Sequence, residues 1–208
     1  MLNIEVVGPV VLGLSLVDVF LHLRLDVQKT SRGPLPATND STTEIPRGAL
    51  LVSALSTILA FILIGVISVS WVLKTNPGEF YPAFLLFDPP FAIWALGLAV
   101  LSGGVVLHAW TRLVRKNFAS NWEMSEDHPL FTTGPYGRIR HPSYTAYFLS
   151  FLGLFLLIPS VLTMFLFSGV WGYNEIAKRE EEKLVSHFGI VYSQYMLRTG
   201  RFLPPIRF

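Results

Sequence analysis

The chain has 208 residues, is 51% hydrophobic with a mean hydropathy of +0.50, and is only 14% charged, where an ordinary soluble domain is about 25% charged. That points to a single small membrane domain. A net charge of +2 without a massed basic run excludes a nucleic-acid-binding footprint, and the absence of cysteine excludes disulfides, thiolate metal sites and a Cys nucleophile.

Four apolar runs follow in chain order. The first, residues 4–23, has no basic stretch before it, carries Glu5 and shows no small-residue cleavage site, so it reads as a retained helix rather than a signal peptide. Asp18 and His22 lie four residues apart on one face of that helix, as an interhelical polar pair or part of a substrate path. Residues 29–47 are Ser/Thr/Pro-rich without an apolar period and are expected to form a flexible cytoplasmic loop. The second run, 48–73, is interrupted only by Ser and Thr. The third, 89–114, opens on two prolines, which suit a helix start. The fourth, 144–172, is longer than the roughly 20 residues a crossing needs and is broken at Ile158-Pro159-Ser160. Two helices hinged at Pro159 account for it better than one kinked helix.

The expected architecture is therefore all-α and integral to the membrane. It has about five transmembrane helices, the last two a hairpin, and a cytoplasmic C-terminal amphipathic helix. In this arrangement every Lys and Arg of the 16 except Lys74 falls on one face. The positive-inside rule makes that face cytoplasmic and leaves the N-terminus outside or lumenal.

Two polar clusters interrupt this apolar chain. In Thr133-Gly134-Pro135-Tyr136-Gly137 the Gly and Pro dictate a tight turn. Arg140-His141-Pro142-Ser143-Tyr144 follows. A residue before proline avoids helical backbone, so His141 is extended and Pro142 opens the next helix. The free N–H groups there suit a carboxylate.

The second cluster is Lys178-Arg179-Glu180-Glu181-Glu182-Lys183-Leu184, with Gly189 as the helix stop. Glu180 shares a face with Ile176 and Leu184 and is the carboxylate expected to point inward; Glu181 and Glu182 read as solvated. Arg201, in the tail, is available to a headgroup or to the glutamates. The five histidines lack ligand spacing, so no metal site is expected.

Together these residues resemble the isoprenylcysteine carboxyl methyltransferase and phospholipid-methyltransferase-like membrane family. The motifs are Gly134-Pro135-Tyr136, Arg140-His141-Pro142-Ser143-Tyr144, Glu180-Glu181-Glu182-Lys183-Leu184, Phe188-Gly189, the pair Tyr192 and Tyr195, and Leu203-Pro204-Pro205-Ile206. They run in the family's order on either side of a membrane hairpin. The resemblance divides the chain into N-terminal helices and loops (1–127) and a cofactor-binding catalytic half (128–208).

The resemblance also implies an S-adenosylmethionine-dependent methyltransferase in the endoplasmic reticulum membrane. His128, Pro129, Leu130, Phe131, Tyr136, His141, Pro142, Ser143, Tyr144 and Glu180 are then the cofactor-binding residues, with Glu180 receiving the α-ammonium group. Arg140, His141, Glu180 and Glu181 are the catalytic candidates.

The implied acceptor is a lipophilic small molecule or prenylated chain reached from the bilayer. Its first candidate is the carboxylate of a prenylated cysteine or similar lipid acid; phospholipid or small-molecule N- or O-methylation is the alternative. A carboxylate acceptor is already ionised and needs no base, whereas an amine or hydroxyl would need His141, Glu180 or Glu181. Family members acting on prenylcysteine have an arginine four residues before the glutamate; here that position is Ile176. Arg179 lies on another face, which leaves Arg140 and Arg201 to hold a carboxylate. A sterol-reductase-like NADPH enzyme and a non-catalytic membrane protein are the competing readings.

Overall fold

Lipid offers no hydrogen bonds to a peptide backbone, so a long apolar run must satisfy its own N–H and C=O groups as a helix. The computed structural model describes residues 3–30, 44–75, 86–115 and 129–205. Three helices in it are long and apolar enough to cross a membrane: α1 (Ile4–Thr30), α2 (Arg47–Val72) and α3 (Phe91–Arg115). A 3-10 turn (Gly134–Gly137) leads to the shorter apolar helix α4 (Pro142–Leu157). Then come α5 (Val161–Phe165), α6 (Ser168–Phe188) and α7 (Ile190–Arg198).

Leu16, Phe20, Ile58, Phe61, Phe91 and Val106 are each more than half exposed. An apolar surface this extensive is untenable in water and is the normal exterior of a protein in lipid. The chain is an integral membrane protein.

The chain reverses at Ile158–Ser160, as the proline break predicts. Ser160 caps α5: its hydroxyl accepts from the Thr163 N–H at 3.2 Å, and its own N–H donates to Thr163 Oγ1 at 3.0 Å. The returning arm differs from expectation. The glutamate run does not belong to a separate C-terminal helix; α6 carries it on one continuous rod of 21 residues up from the hairpin. Gly189, at φ 57°, ends that rod, and α7 starts directly beyond it. α1 also runs further than expected, so Lys29 and Thr30 are helical rather than loop; the core of the expected loop, 31–43, lies outside the described residues.

Small residues set the helix contacts, as is usual where lipid supplies no hydrophobic drive between helices. An added Cβ at Gly153 of α4 would sit 2.6 Å from the Leu101 backbone nitrogen of α3. One at Gly172 of α6 would sit 2.7 Å from the Ala49 carbonyl oxygen of α2. Both pairs of helices therefore pack backbone to backbone and antiparallel. Val7, Val11, Leu63, Ile67, Leu101, Phe151 and Leu154 fill the shared interior. The packing of α4 on α3 and of α6 on α2 brings the start of α4 and the second half of α6 to the same end of the bundle.

Candidate functional site

His141 is the residue before α4, with φ −120° and ψ 60°, and Pro142 is the helix's first residue, as the X-Pro rule requires. The preceding turn lies against α3. Gly134 has φ 59°, and an added Cβ there would meet Val114 at 3.0 Å.

The tail returns to pair with this loop. The Arg140 N–H donates to Gly200 O at 2.9 Å, the His141 N–H to Arg201 O at 3.0 Å, and the Gly200 N–H to Arg138 O at 3.1 Å. Thr145 Oγ1 donates to Phe202 O at 2.7 Å. Residues 199–202 thus run as a short parallel partner of 138–141.

Two adjacent glutamates of α6 face this junction. Glu181 accepts from Arg140 Nε at 2.7 Å and from Arg201 Nη2 at 2.6 Å. Arg140 also donates to the carbonyls of Met196 and Thr199. Glu180 accepts from the Tyr144 hydroxyl at 2.9 Å, and His141 Nδ1 stands 3.2 Å from its other oxygen. His141 Nε2 lies 3.3 Å from Glu181 but forms no hydrogen bond of proper geometry among the described residues. It is a buried polar atom left over for a ligand.

With a neutral imidazole, Glu180 and Glu181 balance Arg140 and Arg201. Burial works against the charged form of Glu181, but the adjacent His141 imidazole and the Arg201 and Arg140 guanidiniums outweigh it and hold the carboxyl far below its usual range. Burial likewise opposes protonation of His141, yet Glu180 and then Glu181 hold its pKa above the ordinary imidazole value.

Beside this cluster lies a cleft lined by Pro129, Leu130, Phe131, Tyr136, Arg115 and Arg140, with Leu184, Phe188, Tyr192 and Tyr195 across it. Arg115 stands over the Phe131 ring, 5.9 Å from its centroid. Tyr195 donates to the Tyr136 carbonyl at 2.6 Å, tying α7 to the turn.

Most of the residues expected from sequence meet here. Pro129, Leu130, Phe131 and Tyr136 line the cleft. His141, Tyr144 and Glu180 form the hydrogen-bonded group beside it, and Pro142 is buried at the start of α4. Ser143 instead pairs with Thr111 of α3 at 3.1 Å. His128 lies outside the described residues.

Two expectations need correction. Glu181 is not solvated: its side chain is 5% exposed. A carboxylate gripped by two guanidiniums is also a poor base. Arg140 and Arg201 are occupied by that carboxylate rather than waiting for a substrate. Arg179 and Glu182 do pair with each other on the exposed face at 3.0 Å, and Ile176 is buried in the helix core.

The polar pair expected on α1 gains a third member that the sequence did not reveal. Asp18 and His22 of α1 meet His108 of α3, and one ligand atom from each lies within 4.8 Å of the others. Local spacing could not reveal this group, because its third member sits on another helix. It borders a partly open apolar pocket of about 80 Å³ between α1, α2, α3 and α4.

A family model described as phospholipid methyltransferase matches residues 92–190. The chain is 38% identical over 84 residues to protein-S-isoprenylcysteine O-methyltransferase of Schizosaccharomyces pombe, covering 39% of this chain and 36% of that protein. It is 30% identical over 145 residues to the Xenopus laevis protein of the same name, covering 66% and 49%. The chain thus spans about half the length, or less, of these curated relatives. A solved structure of a eukaryotic intramembrane Ras methyltransferase, an isoprenylcysteine carboxyl methyltransferase, aligns with a TM-score of 0.48 and 22% identity over 78% of this chain and 54% of that one.

Proposed function

We propose that this chain is an S-adenosylmethionine-dependent methyltransferase acting on a lipophilic acceptor, a member of the isoprenylcysteine carboxyl methyltransferase and phospholipid-methyltransferase-like membrane family to which its similarities point. The observation that carries this reading is the meeting of Glu180, His141 and Tyr144 beside the cleft of Leu130, Phe131 and Tyr136.

That donor set fits S-adenosylmethionine. Phe131, Leu184 and Phe188 offer apolar faces to the adenosine, Arg115 is a cation for the α-carboxylate, and Glu180 receives the α-ammonium group. His141 Nε2, buried without a hydrogen-bond partner, is a further contact for the bound molecule. When bound, S-adenosylmethionine supplies an activated methyl, so the protein's main task is to bring two reactants into line. His141 and Tyr144 hold the Glu180 carboxylate in place, and Glu181 fixes Arg140 and the tail behind it.

The acceptor's chain enters from the bilayer by the apolar pocket between α1, α2, α3 and α4. The acceptor group is the carboxylate of a prenylated cysteine or a similar lipid acid, the class acted on by the relatives named protein-S-isoprenylcysteine O-methyltransferase. A second reading, an amine or neutral acceptor as in phospholipid methylation, draws on Ile176 and on the engagement of both Arg140 and Arg201 by Glu181.

We further infer that α4 and the α5–α6 arm enter the membrane as a hairpin, bringing the crossings to five. The site then lies on the cytoplasmic face of the endoplasmic reticulum, with residues 1–127 as the helical support and 128–208 as the catalytic half.

Binding and transfer test this reading separately. S-adenosylhomocysteine binds the detergent-solubilised protein, and Glu180→Ala or His141→Ala weakens it at least tenfold; a wild type that does not bind overturns the proposal. Labelled methyl transfer into farnesylcysteine, phosphatidylethanolamine and a prenylated acid then identifies the acceptor. Base-labile label marks a carboxyl ester, and stable label marks N-methylation.

A further inference from the structure

The cluster in the membrane half is unlike the one just described, because among the described residues its carboxylate pairs with imidazoles rather than guanidiniums. Asp18 Oδ1 stands 3.3 Å from His108 Nδ1, and Oδ2 stands 3.5 Å from His22 Nδ1. The nearest basic side chain along α3, Arg112, is paired with Asp26 at 2.6 Å. An acidic side chain within a membrane span is expensive unless something neutralises it, and it marks a functional site by default.

We propose that Asp18, His22 and His108 bind a divalent transition-metal ion of the zinc class. One ligand atom from each of the three residues lies within 4.8 Å of the others, and Asp18 faces the imidazoles with its two different oxygens. Ligands of a tetrahedral zinc stand about 3.4 Å apart, so ligation would draw the three side chains closer. Asp18 and His22 also have the i,i+4 spacing that puts two ligands on one helix face.

Two imidazoles and one carboxylate favour zinc or its neighbours over magnesium or calcium, which prefer all-oxygen sites. Loading requires His22 to give up the bond from Nδ1 to the Asp18 carbonyl, 2.8 Å in this structure. Its proton moves to Nε2, and the imidazole stays neutral. Three protein ligands leave a fourth position open. Asp18 and His108 line the apolar pocket, so a water or an acceptor's polar end can occupy that position.

The ion would link α1 to α3 at one end of a chain of aromatic contacts. His22 stacks on His108 at 4.9 Å, and His108 meets Tyr147 at 5.0 Å. Tyr147 meets Tyr173 at 5.2 Å, Tyr173 meets Tyr144 at 4.7 Å, and Tyr144 stacks on His141 at 5.5 Å. A metal at one end therefore braces the wall that carries His141 at the other.

The site stands or falls independently of methyl transfer, because its readout is metal content. Tag-free protein in detergent is stripped with chelator, reloaded with Zn²⁺ or Co²⁺ and passed through gel filtration. One equivalent should remain bound to wild type, the cobalt form should show the intense visible bands of a four-coordinate ion, and Asp18→Asn or His108→Ala should weaken binding at least tenfold. Because His108→Ala could lose its fold, Asp18→Asn, which conserves shape, is also followed by thermal unfolding. Zinc should raise the wild-type midpoint and leave the Asp18→Asn midpoint unchanged. Equal metal content in wild type and Asp18→Asn, or no retained metal in wild type, overturns the assignment.

Discussion

Two carboxylates hold this protein's polar groups together, and they are neutralised in opposite ways. Glu181, 5% exposed, is met by two guanidiniums that stay charged at any accessible pH. Asp18, 13% exposed, is met by two imidazoles, whose nitrogens also ligate metals. The first arrangement is complete within the chain and ties α6, the loop and the tail into one unit. The second has no guanidinium against its carboxylate among the described residues, and the proposed metal ion supplies the balancing charge.

The largest effect expected from this contrast is at Glu181. Glu181→Ala leaves Arg140 buried without its partner and should cost about 3–5 kcal/mol. Exposed Glu182→Ala should stay within about 0.5 kcal/mol. Thermal unfolding in detergent compares the two, and equal losses would remove the distinction between brace and surface.

Glu180→Gln comes next. It keeps the shape beside His141 and Tyr144 but removes the charge, so it should lose at least tenfold in S-adenosylhomocysteine affinity, about 1.4 kcal/mol, measured by titration calorimetry. A loss of fold rather than of affinity would place Glu180 with Glu181 as a brace.

In metal-free protein, Asp18→Asn should change stability by only about 0.5–1.5 kcal/mol, the range of one hydrogen bond. A loss as large as that of Glu181→Ala would show that Asp18 is a structural brace as well.

The smallest effect is on the pH profile. Glu181 has a lowered folded pKa, so its contribution is present above the ordinary value of 4.5 and fades as pH falls below it toward that lowered pKa. His141 has a raised folded pKa, so its contribution is present below 6.5 and is lost as pH rises through the raised value. The wild-type thermal midpoint should therefore hold between these values and decline on both sides. His141→Gln should remove the alkaline limb and Glu181→Gln the acid one.

Local signals carried much of this molecule. Apolar runs located α1 to α4, the Ile158–Ser160 break located the reversal, and Gly134 and Pro142 located the turn and the start of α4. The spacing of Ile176, Glu180 and Leu184 identified the inward carboxylate, because helical period alone decides which residues share a face. Glu181 misled, since one of three adjacent glutamates reads as solvated until its partners are known. Those partners, Arg140 and Arg201, come from a loop and a tail that meet only when residues 199–202 fold back against 138–141.

Sequence by itself determined the membrane-embedded helical class, the polar loop and the identity of Glu180 as its partner, because hydropathy, proline geometry and helical period act over a few residues. Tertiary structure decided that Glu181 closes the junction and that His108 completes a cluster with Asp18 and His22. Both depend on packing that brings segments far apart in the chain to within about 3 Å, the reach of a hydrogen bond.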